Sequence, residues 1–269
     1  MDVAGSVCVV TGGGNGIGAA LARRFGAEGA AGVVVVDLDG EGAERVAASL
    51  PGSRGVALAG DVTDEALHAE AVRLAETRFG PVDLYASNAG IGAGEGMTAS
   101  VEMWEAVWRV NVLAHVLAAR AVLPSMLERG EGWLLQTASA AGLLLNLGDA
   151  AYTATKHAAV GFAEWLSATY RHRGIGVSCL CPMGVDTDML RRASDSGTDG
   201  GLTGKVVTSA GNVLSPEEVA ERVVETLAAE RFLVLPHPEV TTFLAGKVAD
   251  IDGWLAAMNR VQQKLEGSR

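Results

Sequence analysis

Thr11-Gly12-Gly13-Gly14-Asn15-Gly16-Ile17-Gly18 lies between the apolar run Val7–Val10 and the amphipathic stretch Ile17–Gly26. A backbone this rich in glycine turns tightly and can approach a pyrophosphate. The helix behind it offers unpaired N–H groups and a partial positive charge. Gly14, Gly16 and Ala19 also satisfy G-x-G-x-x-A, the spacing of a dinucleotide-binding turn. In isolation a plain glycine-rich turn reads the same way, so context has to decide. A strand precedes the turn, a helix follows, and the next apolar run, Val33–Val36, ends at Asp37, 19 residues after Gly18. A carboxylate at about 20 residues is where a group binding the ribose hydroxyls is expected. Asp37 would repel a 2′-phosphate, and Leu38 and Asp39 put no arginine in place to receive one, so the pattern favours NAD over NADP.

The same alternation continues outward. Val7–Val10, Val33–Val36, Val56–Ala59, Val82–Ala86, Trp133–Gln136, Val177–Leu180 and Phe232–Leu235 are short and mostly continuously apolar. Strands buried on both faces of a parallel sheet read this way. Between them lie helical patterns at Ile17–Gly26, Glu41–Ser49, Asp64–Phe79, Val101–Glu128, Tyr152–Arg173 and Pro216–Glu230, the third with Thr63 or Asp64 as its cap. Repeated βαβ units of this kind imply a doubly wound α/β domain. One domain over 1–269 is expected. Within it, 186–212 is read as a substrate lid around the Gly/Ser/Asp-rich segment Ser194–Gly204. Residues 236–269 form a C-terminal extension with an apolar-periodic stretch around Phe243–Leu255.

Composition narrows the function. The 269 residues are 49 % hydrophobic and carry a net charge of −11. An acidic surface argues against nucleic acid and anionic membrane as partners. There is no basic, apolar leader and no apolar run of about 18 residues, so a cytoplasmic protein is expected. Cys8, Cys179 and Cys181 fit buried reduced thiols. Cys179 and Cys181 share one face of a strand, but no further ligand has metal-site spacing, and no metal is expected. His68, His115, His157, His172 and His237 form no metal-binding set either.

Tyr152-Thr-Ala-Thr-Lys156 places a phenol and an ammonium four residues apart, on one face of a helix. A phenol titrates near 10 and is a poor base at neutral pH, whereas a neighbouring ammonium favours the phenolate. Alone, such a pair also occurs on ordinary surfaces.

Taken together, Thr11-Gly-x3-Gly-Ile-Gly18, Asp61-Val62, Asn88-Ala89-Gly90, Asn111, Ser139, Tyr152-x3-Lys156 and Pro182-x-Gly184-Val185-x-Thr187 resemble the short-chain dehydrogenase/reductase family over residues 5–235. The resemblance implies a Rossmann-type doubly wound sheet of seven parallel strands with helices on both faces. It implies Tyr152 as acid/base, Lys156 as the group that lowers the tyrosine pKa and binds the nicotinamide ribose, and Ser139 as the hydroxyl holding the substrate oxygen. Asn111 would keep a helix open around a water on a proton path. Gly12, Asn15, Gly16, Ile17, Gly18 and Asp37 would hold the dinucleotide, with Asp61 and Val62 at the adenine. Asn88, Ala89 and Gly90 would line the cofactor, and Pro182, Gly184, Val185 and Thr187 the nicotinamide end. The reaction implied is hydride transfer between NAD(H) and a secondary alcohol or ketone.

Two departures stand out. Met183 interrupts the family's Pro-Gly, and Pro236-His-Pro238 plus about 30 residues replace its usual ending. The second puts the family's tetramer contact in doubt and favours a dimer over a tetramer. The resemblance implies that the loop Ala140–Asn146 borders the substrate; with Met183 and Met189 opposite, it predicts an uncharged hydrophobic substrate, with Arg191 and Arg192 at the lid's edge as solvated helix-end residues. An NAD-binding sensor without turnover, and an epimerase or dehydratase on the same fold, are the rival readings.

Overall fold

The computed structural model describes residues 1–195, 204–208 and 211–267; the middle of Ser194–Gly204 lies outside the described residues. Seven strands form one parallel sheet in the order β3-β2-β1-β4-β5-β6-β7. They are β1 (Val7–Thr11), β2 (Gly32–Asp37), β3 (Gly55–Ala59), β4 (Leu84–Ser87), β5 (Gly132–Thr137), β6 (Ile175–Leu180) and β7 (Leu233–Val234). Successive residues face opposite layers. Val7, Val9, Val34 and Val36 join one buried cluster with Tyr85, Leu134 and Val177. Cys8, Val10, Val33 and Val35 join the other with Leu84, Leu135 and Leu180.

Helices cover both faces. On the first lie α3 (Glu65–Arg78), α5 (Ala114–Arg129) and α6 (Ala150–Tyr170), through Leu67, Ala71, Ala118, Val122, Met126, Ala159 and Leu166. On the second lie α1 (Gly16–Ala27), α2 (Gly40–Ala48) and α9 (Pro216–Ala228), through Leu21, Phe25, Val46, Val223 and Leu227. The remaining helices are α4 (Val101–Trp108), α7 (Asp188–Asp195), α8 (204–208), α10 (Glu239–Ala249) and α11 (Ile251–Glu266).

Several sequence boundaries shift for local reasons. The stretch read as one helix, Val101–Glu128, is α4 and α5 joined by a π turn at Arg109–Leu113. By length and composition, Val101–Arg129 meets the requirement for crossing a membrane. It is not a continuous apolar run, since Glu102, Glu105, Arg109 and Arg120 interrupt it, and half of its most apolar window is buried in the protein. The helix carrying Tyr152 starts two residues early, because Asp149 caps it through the Tyr152 N–H at 2.9 Å. Asp64 does cap α3, accepting from Ala66 N–H. The tail's periodic stretch breaks at Asp250, whose extended backbone ends α10 and whose carboxylate caps α11.

The strand order dictates where a site can form. The chain runs outward from β1 to β3, then returns to place β4 on the other side of β1. At this switch the connections leave in opposite directions and open a crevice beyond the carboxyl ends of β1 and β4, where open α/β sheets bind ligands.

Candidate active site

The crevice begins with the glycine turn. Gly12 and Gly16 have φ of +63° and +50°, a region that L side chains rarely enter. A Cβ on Gly18 would overlap the Gly12 carbonyl, so α1 seats directly on the turn. Asn15 caps α1 without a side-chain bond, and its first turn carries no acidic residue. Its N–H groups and positive end are therefore open to an anion. At the end of β2, the Asp37 carboxylate accepts from Gly14 N–H (2.8 Å) and Asp39 N–H (2.9 Å), which fixes it beside the turn. Beyond β3, exposed Asp61 accepts from Thr63 N–H, and Val62 is buried with its carbonyl accepting from His68 Nε2.

The ends of β1, β4 and β5 are tied by Asn88. Its Nδ2 donates to the Thr11 and Gly12 carbonyls (3.1 and 3.3 Å), and its Oδ1 accepts from the Thr137 hydroxyl. Thr11 Oγ1 in turn accepts from Asn88 N–H and Ala89 N–H. Gly90 follows, and a Cβ there would come within 3.3 Å of Asn111 Oδ1 and 3.4 Å of Lys156 Nζ. Glycine thus keeps the backbone close to both groups. Asn111 sits inside the π turn, fully buried. It exchanges bonds with the Ile91 backbone (2.9 Å each way) and donates to Thr155 Oγ1 (3.1 Å).

Tyr152 and Lys156 rise from one face of α6. Lys156 Nζ donates to the Thr137 carbonyl (3.0 Å) and lies 5.4 Å from the Tyr152 ring centroid. Ser139 caps the short 3-10 turn Ala140–Gly142, accepting from Ala141 N–H. It lies within reach of the Tyr152 hydroxyl and pulls that pKa down. Burial outweighs this and pushes the phenol up to about 12, while burial brings the Lys156 ammonium down to about 8. The sequence predicts a tyrosine lowered by its lysine. Here the phenol is instead raised, because desolvation acts on both groups and Nζ donates to the Thr137 carbonyl.

The far wall follows β6. Pro182 O accepts from Ala140 N–H at 2.8 Å, which brings this segment against the Ser139 turn. Val185 pairs with Leu214, and Thr187 Cγ2 lies 3.2 Å from where a Gly16 Cβ would stand, so this segment closes over the glycine turn. Arg191 is held by Asp186 and Asp188. Cys179 and Cys181 are buried with their sulfurs 3.7 Å apart, and no group of three metal-ligating side chains occurs among the described residues.

Sequence reasoning singled out Gly12 to Gly18, Asn88 to Gly90, Asn111, Ser139, Tyr152, Lys156 and Pro182 to Thr187, and the fold gathers these around one crevice. Asp61 and Val62 lie at its edge beyond β3. Two supporting groups were missed. Asp149 is 3 % exposed; beyond capping Tyr152 it accepts from Ala93 N–H and Gly94 N–H (3.0 and 2.8 Å). An acidic cap three residues ahead of Tyr152 was the available signal. His237 is buried. Its Nδ1 accepts from Met183 N–H (3.1 Å), and its Nε2–H lies 3.1 Å from the Gly184 and Asn212 carbonyls. No local pattern shows that a histidine between two prolines reaches 54 residues back.

Residues 6–197 match the short chain dehydrogenase family. The chain is 38 % identical over 252 residues to the 1-deoxy-11-beta-hydroxypentalenate dehydrogenase of Streptomyces exfoliatus, covering 90 % of this chain and 87 % of that protein. It is 35 % identical over 244 residues to a Xanthobacter autotrophicus protein described as an inactive 2-(S)-hydroxypropyl-CoM dehydrogenase, covering 89 % of this chain and all of that one. Among solved structures, a short-chain dehydrogenase/reductase of Burkholderia phymatum in complex with NAD superposes with a TM-score of 0.85 at 29 % identity, over 94 % and 96 % of the two chains. The crevice and this likeness agree: the chain belongs to the short-chain dehydrogenase/reductase family, oxidoreductases that act on CH–OH groups.

Proposed function

We propose that the chain is an NAD(H)-dependent oxidoreductase for uncharged, hydrophobic secondary alcohols or ketones. The observation that carries this is the convergence of Ser139, Tyr152, Lys156 and Asn111 beside an open helix N-terminus at the switch of the sheet. NAD(H) supplies the carbon that takes or gives the hydride. Its fit rests on the glycine turn, the unshielded start of α1, Asp37 at the end of β2, and the space kept by Gly90. Asp37 supports NAD over NADP, since a 2′-phosphate would meet a fixed carboxylate. Asp61 and Val62 suit the adenine end, and Val185 and Thr187 the nicotinamide end.

Tyr152 exchanges a proton with the substrate oxygen at its phenolic Oη, and Ser139 Oγ hydrogen-bonds the same oxygen. Lys156 holds positive charge near the ring. The π turn at Asn111 supports a proton path from Lys156 toward solvent. An uncharged substrate is favoured because the loop after Ser139, which borders the substrate by family position, carries Leu143 and Leu144, and because Arg191 is already paired with two aspartates. The segment 186–212 would close over this side as a lid within a single catalytic domain. Exposed Trp108, Leu113 and Trp165 on α4 to α6 suit a dimer or tetramer. Three free buried cysteines suit a reducing, cytoplasmic setting.

The relative described as inactive favours one other reading, NAD binding without turnover. One experiment separates them: NADH binding by fluorescence together with turnover on matched apolar and carboxylated secondary alcohols. Preference for apolar members supports the proposal, binding without any turnover supports the rival, and a preference for anions lost on Arg191→Ala would overturn the substrate class.

A further inference from the structure

Besides His237, the C-terminal extension reaches the Ser139 side of the site through Lys247. Lys247, on α10, donates from Nζ to the carbonyls of Leu143 (2.8 Å) and Leu144 (2.9 Å), 104 and 103 residues earlier in the chain. These carbonyls end the 3-10 turn Ala140–Gly142, whose other end is capped by Ser139. Carbonyls at a helical C-terminus lack partners within the turn, and an ammonium is the natural cation to receive them. From α11, the Trp254 ring lies 5.2 Å from the same Nζ, so the second tail helix backs the lysine. The opposite side of the turn has no slack. A Cβ on Gly142 would overlap the Lys156 carbonyl, which means the turn rests on the backbone of α6 beside Lys156. The segment carrying Ser139 is therefore wedged between α6 and the tail.

We propose that α10 and α11 are a positioning element for substrate, with Lys247 as the residue that fixes the Ser139 turn and the Leu143–Leu144 wall and Trp254 as its support. The proposal rests on the dehydrogenase reading above. Lys247 touches neither the glycine turn nor Asp37, so it acts on the substrate and not on the dinucleotide.

The test uses the full chain as Lys247→Met, Lys247→Arg and Trp254→Ala, with three readouts. NADH affinity by fluorescence titration should stay within about twofold in all three. Hydrogen exchange in peptides covering 140–147 should be faster in Lys247→Met, intermediate in Trp254→Ala and restored in Lys247→Arg. With 1-indanol and cyclohexanol at saturating NAD⁺, KM should rise at least about fivefold in Lys247→Met while kcat changes less than about threefold, and Lys247→Arg should recover most of the loss. Unchanged exchange and unchanged KM would overturn the proposal. Faster exchange with unchanged KM would also overturn it, leaving Lys247 a purely structural clamp. If Lys247→Met does not fold, Trp254→Ala carries the same two comparisons. If the unmodified chain binds NADH but turns over none of the matched secondary alcohols above, the dehydrogenase reading fails, and the exchange data alone decide whether the tail fixes the turn.

Discussion

Asp149→Asn tests how the site is held. The carboxylate is buried and accepts three backbone N–H groups: Tyr152 on one oxygen, Ala93 and Gly94 on the other. Burial, with a smaller push from Glu95, raises its pKa, and those three bonds oppose the shift. Asparagine keeps one acceptor oxygen and turns an NH₂ toward the other donors. If the oxygen stays on Tyr152, two N–H groups are left facing an amide; if it turns, the helix carrying Tyr152 loses its cap. Each bond to a charged acceptor contributes about 1.5–3 kcal/mol, and a lost cap costs roughly 1 kcal/mol. Since asparagine recovers part of this, we expect a loss of about 2 kcal/mol. At about 2–4 °C per kcal/mol, Tm should fall by roughly 4–8 °C in thermal melts. The 93–94 loop and the start of α6 share this one group, so turnover should fall by about tenfold while NADH binding holds. A Tm within about 1 °C of the parent with full turnover would mean that Asp149 does not hold the 93–94 loop and the start of α6 together.

Cofactor preference should follow Asp37: NADH should bind at least about tenfold tighter than NADPH, roughly 1.4 kcal/mol, and Asp37→Ser with Leu38→Arg should narrow or reverse the gap in fluorescence titrations. The folded pKa of Lys156 lies near 8, below its ordinary 10.5, so the unfolded chain holds more protons between those values and this group adds stability as pH rises through them. Melts of Lys156→Met and the parent should accordingly differ most below pH 8, with the variant's relative advantage shrinking toward pH 10; a difference that grows with pH would contradict the assignment. Light scattering should give an oligomer, and Trp165→Glu should weaken it, since this ring is 54 % exposed, stacked on Phe162 and edge-on to Tyr170 of its own helix; a stable parent monomer near 28 kDa at micromolar concentration would contradict it.

The sheet was legible because burial on both faces writes itself into composition. Val33–Val36 has no polar residue to give, and each of its four side chains is buried in one of two layers. Tyr152 and Lys156 were legible because four residues is one helical turn. The opening of the helix at Asn111 was legible only through the family resemblance, since a local shift of hydrogen-bond register leaves the residue types unchanged. The direction of the Tyr152 pKa could not be read either, because it depends on how far the pocket is closed from water and where Nζ turns. The tail was visible only as a departure from the family. Lys247 gains its meaning from carbonyls more than 100 residues away, a contact that no local periodicity encodes.

In the proposed mechanism Tyr152 carries the proton while the rest of the crevice holds the cofactor. Tyr152→Phe removes only the phenolic oxygen and keeps the ring that Lys156 faces. Measured on any secondary alcohol the parent oxidises, kcat should fall by at least ~10²-fold, within the ~10²–10⁴ range of a general acid/base group, with NADH affinity within about twofold of the parent. Retention of most of the parent's kcat by Tyr152→Phe would contradict the account.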